Sequence, residues 1–401
     1  MKRLFGSSIG GLALLVASLP LLAQMPEAPA GYAHTNVVVN PDRPTESGPT
    51  GILPVEFKAA YGFNQIPNLG RGMTIALVDA YIDPNITSDL AFYASYFHLQ
   101  PCNFQVVELG TAYGGNWDLE ESLDVEQACA LAPQANIVLV EAASNSNPDL
   151  FNAVAVAVAP PYNANLVSMS WGSSEFSGEA AYDSYLCNIT NGNGQPVTFV
   201  AATGDSGHDT YYPSTSPCVV AAGGTTLVLS TATPLPNPLQ LNYGAESAWR
   251  YGSGGISTEE AEPSWQVTAC AQFQPNGLRC VPDVASDASA SPGIPVYDTY
   301  SYAGWLQVGG TSIASPDWAS FFTLVNSARV LAGKPVLSQA AQDLYNIYYS
   351  NNYNTDFHDI TMGNNGSCGL DCNAVIGYDL ATGIGSYKAN NLFAPLVADP
   401  N

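Results

Sequence analysis

The chain has 401 residues, with 34 Asp and Glu against 10 Lys and Arg, a formal net charge of −24 and a pI near 4.1. Charged residues make up only 11% and hydrophobic residues 46%, which excludes a disordered acidic tail and leaves material for a large core. The shortage of cations argues against nucleic acid and membranes as partners, since phosphate surfaces are held by Lys and Arg.

Length gives a soft prior of two to three domains, although α/β folds often run longer as one unit. Carboxylates lose their charge in acid, and a chain with few cations then has little left to repel itself. The composition therefore fits an acidic habitat. It fits a halophile or any acidic secreted protein equally well.

Residues 1–23 carry Lys2 and Arg3, an apolar run, and a cleavage pattern at Leu21-Leu22-Ala23, so they read as a secretory signal peptide. No later stretch reaches the ~18 apolar residues of a transmembrane helix. The localisation expected is therefore extracellular. Residues 24–50, rich in Pro, Gly, Asn and Thr, read as an extended N-terminal arm, and the ordered domain is expected over 51–398. An even number of cysteines outside the cell indicates disulfides. Cys270–Cys280 and Cys368–Cys372 are the local pairs; Cys102–Cys129 and Cys187–Cys218 follow by elimination. A metal site from Cys368, Cys372 and His358 is the alternative that an oxidising compartment disfavours.

From residue 53 onward, strand-like runs alternate with helical patterns. TIALVDAY (74–81), NIVLVEAA (136–143), NLVSMSWG (165–172) and VTFVAATG (197–204) are buried strands, and VVAAGGTTLVLS (219–230) supplies two more short ones. DPNITSDLAFYASYF (83–97) is helical with Asp83 or Asn85 as cap, and TSIASPDWASFFTLVNSARVL (311–331) is a long helix. Residues 231–300, rich in Pro and Gly, read as surface loops. Apolar strands with intervening helices make an α/β layered fold, with a mainly parallel central sheet covered on both faces. In such sheets sites form at the carboxyl ends of the strands. Gly70 and Gly72 precede their strand, the wrong side for a dinucleotide fingerprint.

Four segments carry chemistry. In NWDLEESLDVEQACALAP (116–133), Glu120 and Asp124 share one helix face, and neighbouring carboxyls raise each other's pKa. Asp118, Glu121 and Glu126 crowd the same stretch, and a solvated acidic face is the plainer explanation. In ATGDSGHD (202–209), Asp205 stands at a strand's carboxyl end, where a helix cap or Asx-turn is equally natural. In GGTSIASPDWA (309–319), Ser312 opens a helix, as a nucleophile or as a simple cap. In 356–385, Asp359 and Asp379 bracket a Gly- and Asn-rich loop suited to a hard cation such as Ca²⁺, or simply closed by the Cys368–Cys372 bridge.

E-x-x-L-D on a helix, GDSG after a strand, and GGTS followed by Pro316 resemble, in this order, the sedolisins, serine-carboxyl peptidases with a subtilisin-like fold. SMSWGSSE (168–175), GSGGIS (252–257), PSWQ (263–266), RCVPDVAS (279–286) and FHDIT…GYDLATGIG also match, and the likeness runs over roughly 50–395. The resemblance implies a three-layer subtilisin-like fold and a secreted, acid-active endopeptidase acting on peptides or unfolded protein, expected to be a monomer. It implies Ser312 as nucleophile, Glu120 as general base, Asp124 as its orienting partner and Asp205 as the oxyanion-hole acid. It implies one structural Ca²⁺ on the Asp359 and Asp379 side chains and the carbonyls of Ile360, Val375 and Gly377, with Val375 standing where the family usually has Gly.

Physical logic runs beside the resemblance. The His-Gly-Thr signature of a subtilisin-type base is absent, and a carboxylate base stays ionised at lower pH than imidazole. A protonated Asp can donate to an oxyanion if its pKa is raised or the medium is acid. Asp79 in ALVDAY is expected to structure its strand end. The long folded propeptide usual in the family is not recognisable, since only residues 24–50 separate the signal peptide from the domain. The rival readings are a catalytically silent peptide-binding protein on the same fold, and a neutral hydrolase using His208.

Overall fold

The computed structural model describes residues 31–40, 48–114, 117–230 and 242–400. The expected signal peptide, 1–23, and residues 24–30 and 41–47 of the expected arm lie outside these. Among the described residues no helix is long and apolar enough to cross a membrane.

The central sheet comprises β1 (Thr74–Ala80), β2 (Asn103–Glu108), β3 (Asn136–Ala142), β4 (Leu166–Met169), β5 (Thr198–Ala202), β6 (Val220–Ser230), β7 (Asn242–Ala248), β8 (Val284–Asp287), β9 (Phe357–His358) and β10 (Ser386–Tyr387). The strand order is β9-β10-β8-β6-β5-β4-β1-β3-β2, with β7 on the free stretch of β6. Pairing is parallel throughout except β6 with β7 and β9 with β10. The order reverses around β1, which lies between β3 and β4. That reversal opens a crevice at the carboxyl ends of the strands.

Side-chain parity then assigns the two faces. Ile75 and Leu77 of β1 enter one core with Ile137 and Leu139 of β3, while Ala76, Val78 and Ala80 enter the other. The first face is covered by α1 (Ile86–Tyr96), α2 (Trp117–Leu131), α4 (Thr311–Leu331) and α5 (Ala389–Ala398). The second is covered by α3 (Asn147–Val158), started by Ser146, whose hydroxyl accepts from the Asp149 amide at 3.4 Å. This is the three-layer α/β arrangement expected. All four disulfides form with the expected pairing.

Three expectations need correction. Residues 220–230 form one continuous strand rather than two, because Gly223 and Gly224 stay in register beside Ala285 and Ser286 of β8. The 231–300 region is not only loops (231–241 lie outside the described residues). It supplies β7, β8 and the strands Gly255–Ala261, Leu278–Val281 and Ile294–Asp298. Their runs are too short and too interrupted by Pro and Gly to stand out, yet β8 sits fully buried within the sheet. Helix α2 has no solvated acidic face: all fifteen of its residues are buried.

Candidate active site

The candidate residues converge at the carboxyl ends of the parallel strands. Ser312 is the second residue of α4 and wholly buried, and Gly310 caps the helix with φ +118°. A side chain at Gly310 would collide with the Asn36 carbonyl oxygen and come within 2.8 Å of Asp205 Oδ2, so only glycine fits between them. Ser312 Oγ lies 3.3 Å from the Ser170 carbonyl oxygen, to which it donates. It lies near enough to Glu120 to lower that carboxyl, whose Oε1 is buried without a hydrogen-bond partner.

Glu120 and Asp124, one turn apart on α2, face Ser312 and Ser170. Burial pushes both carboxyls well above the usual range, and each is raised further by the charge of Asp79. The nearby Ser312 hydroxyl and the Asn36 amide, 3.1 Å from Glu120 Oε2, pull Glu120 partly back. Ser170 Oγ lies 2.7 Å from Asp124 Oδ1 and 3.4 Å from the Ser312 carbonyl. That carbonyl lacks its helical partner because Pro316, four residues on, has no N–H. One hydroxyl proton cannot serve two acceptors. With Asp124 protonated, Asp124 donates to Ser170 and Ser170 donates to Ser312, and both contacts are satisfied.

Asp79 does more than structure its strand end. It shares the parity of Ile75 and Leu77 and therefore points at α2; both its oxygens are buried without a partner, and burial pushes it up to about 8. Asp205 follows β5. Its Oδ1 accepts from the Thr311 amide and hydroxyl, both at 2.9 Å, leaving Oδ2 buried and unpartnered. Burial, offset by the Thr311 bonds, pushes its carboxyl up to about 7.

The other acids of α2 point elsewhere. Glu121 faces Glu141 and Asp83, Asp118 faces Asp298, and Glu126 accepts from the Tyr297 amide at 3.1 Å. No imidazole joins Ser312. His34 packs edge-on against Tyr211, His208 lies beside Gly255 and the Cys368–Cys372 loop, and His358 stacks on Tyr243. His98 ends the turn after α1. A concavity of about 430 Å³, lined by Leu186, Phe199, Trp265 and Gln339 among others, is separate from this cluster.

Sequence reasoning missed Asn36, Ser170 and Thr311, and undervalued Asp79. Parity along β1 carries the signal for Asp79. So does the absence of any Lys or Arg from Gly72 to Trp249, which leaves the acids there without a local cation.

In the C-terminal loop, Asp359 Oδ1 accepts from Gly377 N–H at 3.0 Å and Asp379 Oδ2 from Val375 N–H at 2.9 Å. Both aspartates therefore grip the 375–377 turn. Burial raises both carboxyls, Asp379 to about 7. Val375 is not among the residues with positive φ, so its branched side chain is compatible with the turn. Two carboxylates gripping one turn are oxygen donors of the kind a hard cation takes.

The subtilase family profile matches residues 110–341. The chain is 28% identical over 377 residues to sedolisin from a Pseudomonas species, covering 86% of this chain and 61% of that protein. It is 31% identical over 375 residues to kumamolisin from a Bacillus species, covering 86% and 63%. It thus spans about three fifths of the length of these curated relatives. Its fold matches the structure of Pseudomonas sedolisin, a serine-carboxyl proteinase complexed with pseudo-iodotyrostatin, with a TM-score of 0.72 and 25% identity over 88% of this chain and 100% of that one.

Proposed function

The chain belongs to the subtilase family, and from that premise we propose that it is a secreted, acid-active serine-carboxyl endopeptidase acting on peptides or unfolded protein as a monomer. The observation that carries this reading is the burial of Ser312 beside Glu120 inside a cluster of raised carboxyls, Asp79, Glu120, Asp124 and Asp205, that holds no imidazole. Ser312 Oγ attacks the scissile carbonyl and Glu120 takes its proton. Asp124 and Asp79 share the titration of Glu120, so the three act as one proton reservoir rather than as three independent acids. The developing oxyanion receives the Ser312 N–H and a hydrogen bond from protonated Asp205. Glu120 then returns the proton to the leaving amine, and water releases the acyl group.

The pH dependence follows with its sign. Asp205 must hold a proton, so activity falls as pH rises through about 7. Glu120 must lose one. Water entering an open cleft relieves the burial that raises it, which brings the base into the acid range.

Asp359 and Asp379, with the carbonyls of Ile360, Val375 and Gly377, would hold one structural Ca²⁺. That ion would pin the C-terminal loop and stands outside the chemistry.

Casein digestion by wild type and Ser312→Ala, from about pH 3 to about pH 7, tests the reading. Wild type is expected to digest casein only at the acid end, and the variant to be inert with an unchanged circular dichroism spectrum. Full activity in the variant, or no cleavage by wild type at any pH, overturns it; the second result leaves a peptide-binding protein.

A further inference from the structure

A second group of acids lies beyond the catalytic cluster, past the carboxyl end of β1. Asp83 follows the turn at Tyr81, where φ is +74°, and its Oδ1 accepts the Asn85 N–H at 2.8 Å. Asp89, on the first turn of α1, accepts the Thr299 amide at 2.7 Å and the Thr299 hydroxyl at 2.8 Å. Asp298 ends the strand Ile294–Asp298, and its Oδ1 accepts the Tyr300 amide at 2.7 Å. One carboxylate oxygen from each of the three lies within 4.8 Å of the other two. All are enclosed: Asp83 is 2% exposed, Asp89 3% and Asp298 0%.

For Asp83 and Asp298 the anchored oxygen leaves the other, Oδ2, buried without a hydrogen-bond partner. A fourth acid, outside this triad, is aimed into the same space. Asp118, on the first turn of α2 and 3% exposed, faces Asp298, and its charge reaches Asp83. Neither of its oxygens has a partner among the described residues. Residues 73–248 and 281–328, which supply all four acids, contain no Lys or Arg. Burial pushes Asp298 up to about 8 and Asp83 up to about 6, and the charge of Asp118 adds to both. Enclosed carboxylates without a counter-charge are costly, so this group takes up positive charge from outside the chain.

We propose that Asp83, Asp89, Asp118 and Asp298 form a binding site for a hard divalent cation, Ca²⁺, separate from the C-terminal loop. The donors are all oxygens, with no imidazole or thiolate among them. A span of 4.8 Å is what two oxygens on opposite sides of Ca²⁺ subtend at about 2.4 Å each; Mg²⁺, at about 2.1 Å, would need them closer. The amides on the anchored oxygens orient the ligands, as outer-shell partners do in metal sites. The ion ties together the turn after β1, the start of α2 and the hairpin formed by Ile294–Asp298 with Gly304–Gly309. Helix α2 carries Glu120 two residues past Asp118, and Gly304–Gly309 leads straight into Gly310. The ion therefore braces the Glu120 helix against the approach to Ser312. The site itself does not depend on the peptidase reading.

The full chain, stripped with EDTA, is titrated calorimetrically with CaCl₂ at about pH 7.5, where free carboxyls are ionised. Asp118→Asn, Asp298→Asn, Asp379→Asn and the double variant Asp118→Asn/Asp379→Asn are titrated beside it, each checked by circular dichroism. Wild type should take up two ions and Asp379→Asn one. Asp118→Asn removes no hydrogen bond of the fold, so it should stay native while the second ion binds at least tenfold more weakly. Asp298→Asn should weaken that ion as strongly; if it fails to fold, Asp118→Asn decides. In Asp379→Asn, bound Tb³⁺ should luminesce on excitation of Trp117, next to Asp118, and of Tyr302, which feels the charges of Asp118 and Asp298. Ca²⁺ should displace that signal, and the double variant should lack it. One ion in wild type, kept in Asp379→Asn and weakened by Asp118→Asn, upholds the proposal and removes the loop site instead. An Asp379→Asn protein that binds no calcium overturns the proposal and leaves these acids neutralised by shared protons. A remaining ion whose affinity Asp118→Asn leaves unchanged overturns it as well.

Discussion

Two polar regions are buried in this molecule, and they reach neutrality by opposite routes. Around Arg279 the guanidinium holds Asp283 in two parallel hydrogen bonds, at 2.8 and 2.6 Å, with Gln266 and Tyr345 completing the shell. Around Ser312 the acids Asp79, Glu120, Asp124 and Asp205 have no cation among them, and burial raises every one. The first region compensates charge with charge and serves as a structural peg. The second compensates by holding protons, and a group that holds protons can deliver them. The comparison teaches that the chemistry sits where the sequence withholds cations.

The comparison can be broken at either end. Glu120→Gln keeps shape and removes the proton acceptor, so kcat should fall by about 10³-fold or more in an acid peptide-hydrolysis assay with folding unchanged. Arg279→Ala leaves the Asp283 carboxylate buried without its cation and should lower stability by about 3–5 kcal/mol in denaturant unfolding at neutral pH. Removing calcium acts on neither region. It should still cost about 2.7 kcal/mol relative to an ion at a hundredfold excess over Kd, read as a lower Tm in EDTA, and Asp379→Asn should abolish the C-terminal loop's share of that sensitivity.

The pH dependence of stability sharpens the contrast most. Asp79, at about 8, and Glu141, also at about 8, bind protons in the fold that the unfolded chain releases near the ordinary carboxyl range. The native state therefore holds more protons, and stability falls as pH rises from about 4 toward 8, the reverse of a salt-bridged carboxylate. Asp79→Asn should flatten this slope and raise stability at neutral pH. A Tm series across that range, unchanged by the substitution, would show that Asp79 is hydrated.

How much was legible follows from locality. β1, β3, β4 and β5 are continuous apolar runs, and α4 is a long periodic stretch, so local pattern suffices for them. β8 is four residues long and follows Pro282, and its place in the sheet comes only from its neighbours β6 and β10. Glu120 and Asp124 were readable as a helix-face pair, yet spacing alone could not choose them over Asp118, Glu121 and Glu126. The structure separates these acids by direction around a helix buried on every side. The arm was legible only as extended. Its strands pair with residues more than a hundred positions away, and no local pattern reports such a pairing.

The burial of arginine has a consequence for survival. Arg279 and Arg329 are both wholly enclosed, and no basic residue occurs from Gly72 to Trp249. Trypsin-like enzymes cut after Lys or Arg in flexible, accessible backbone, so nearly half of this chain offers them no bond to attack. Any trypsin-like hydrolase that meets this chain finds very little along that stretch to bite.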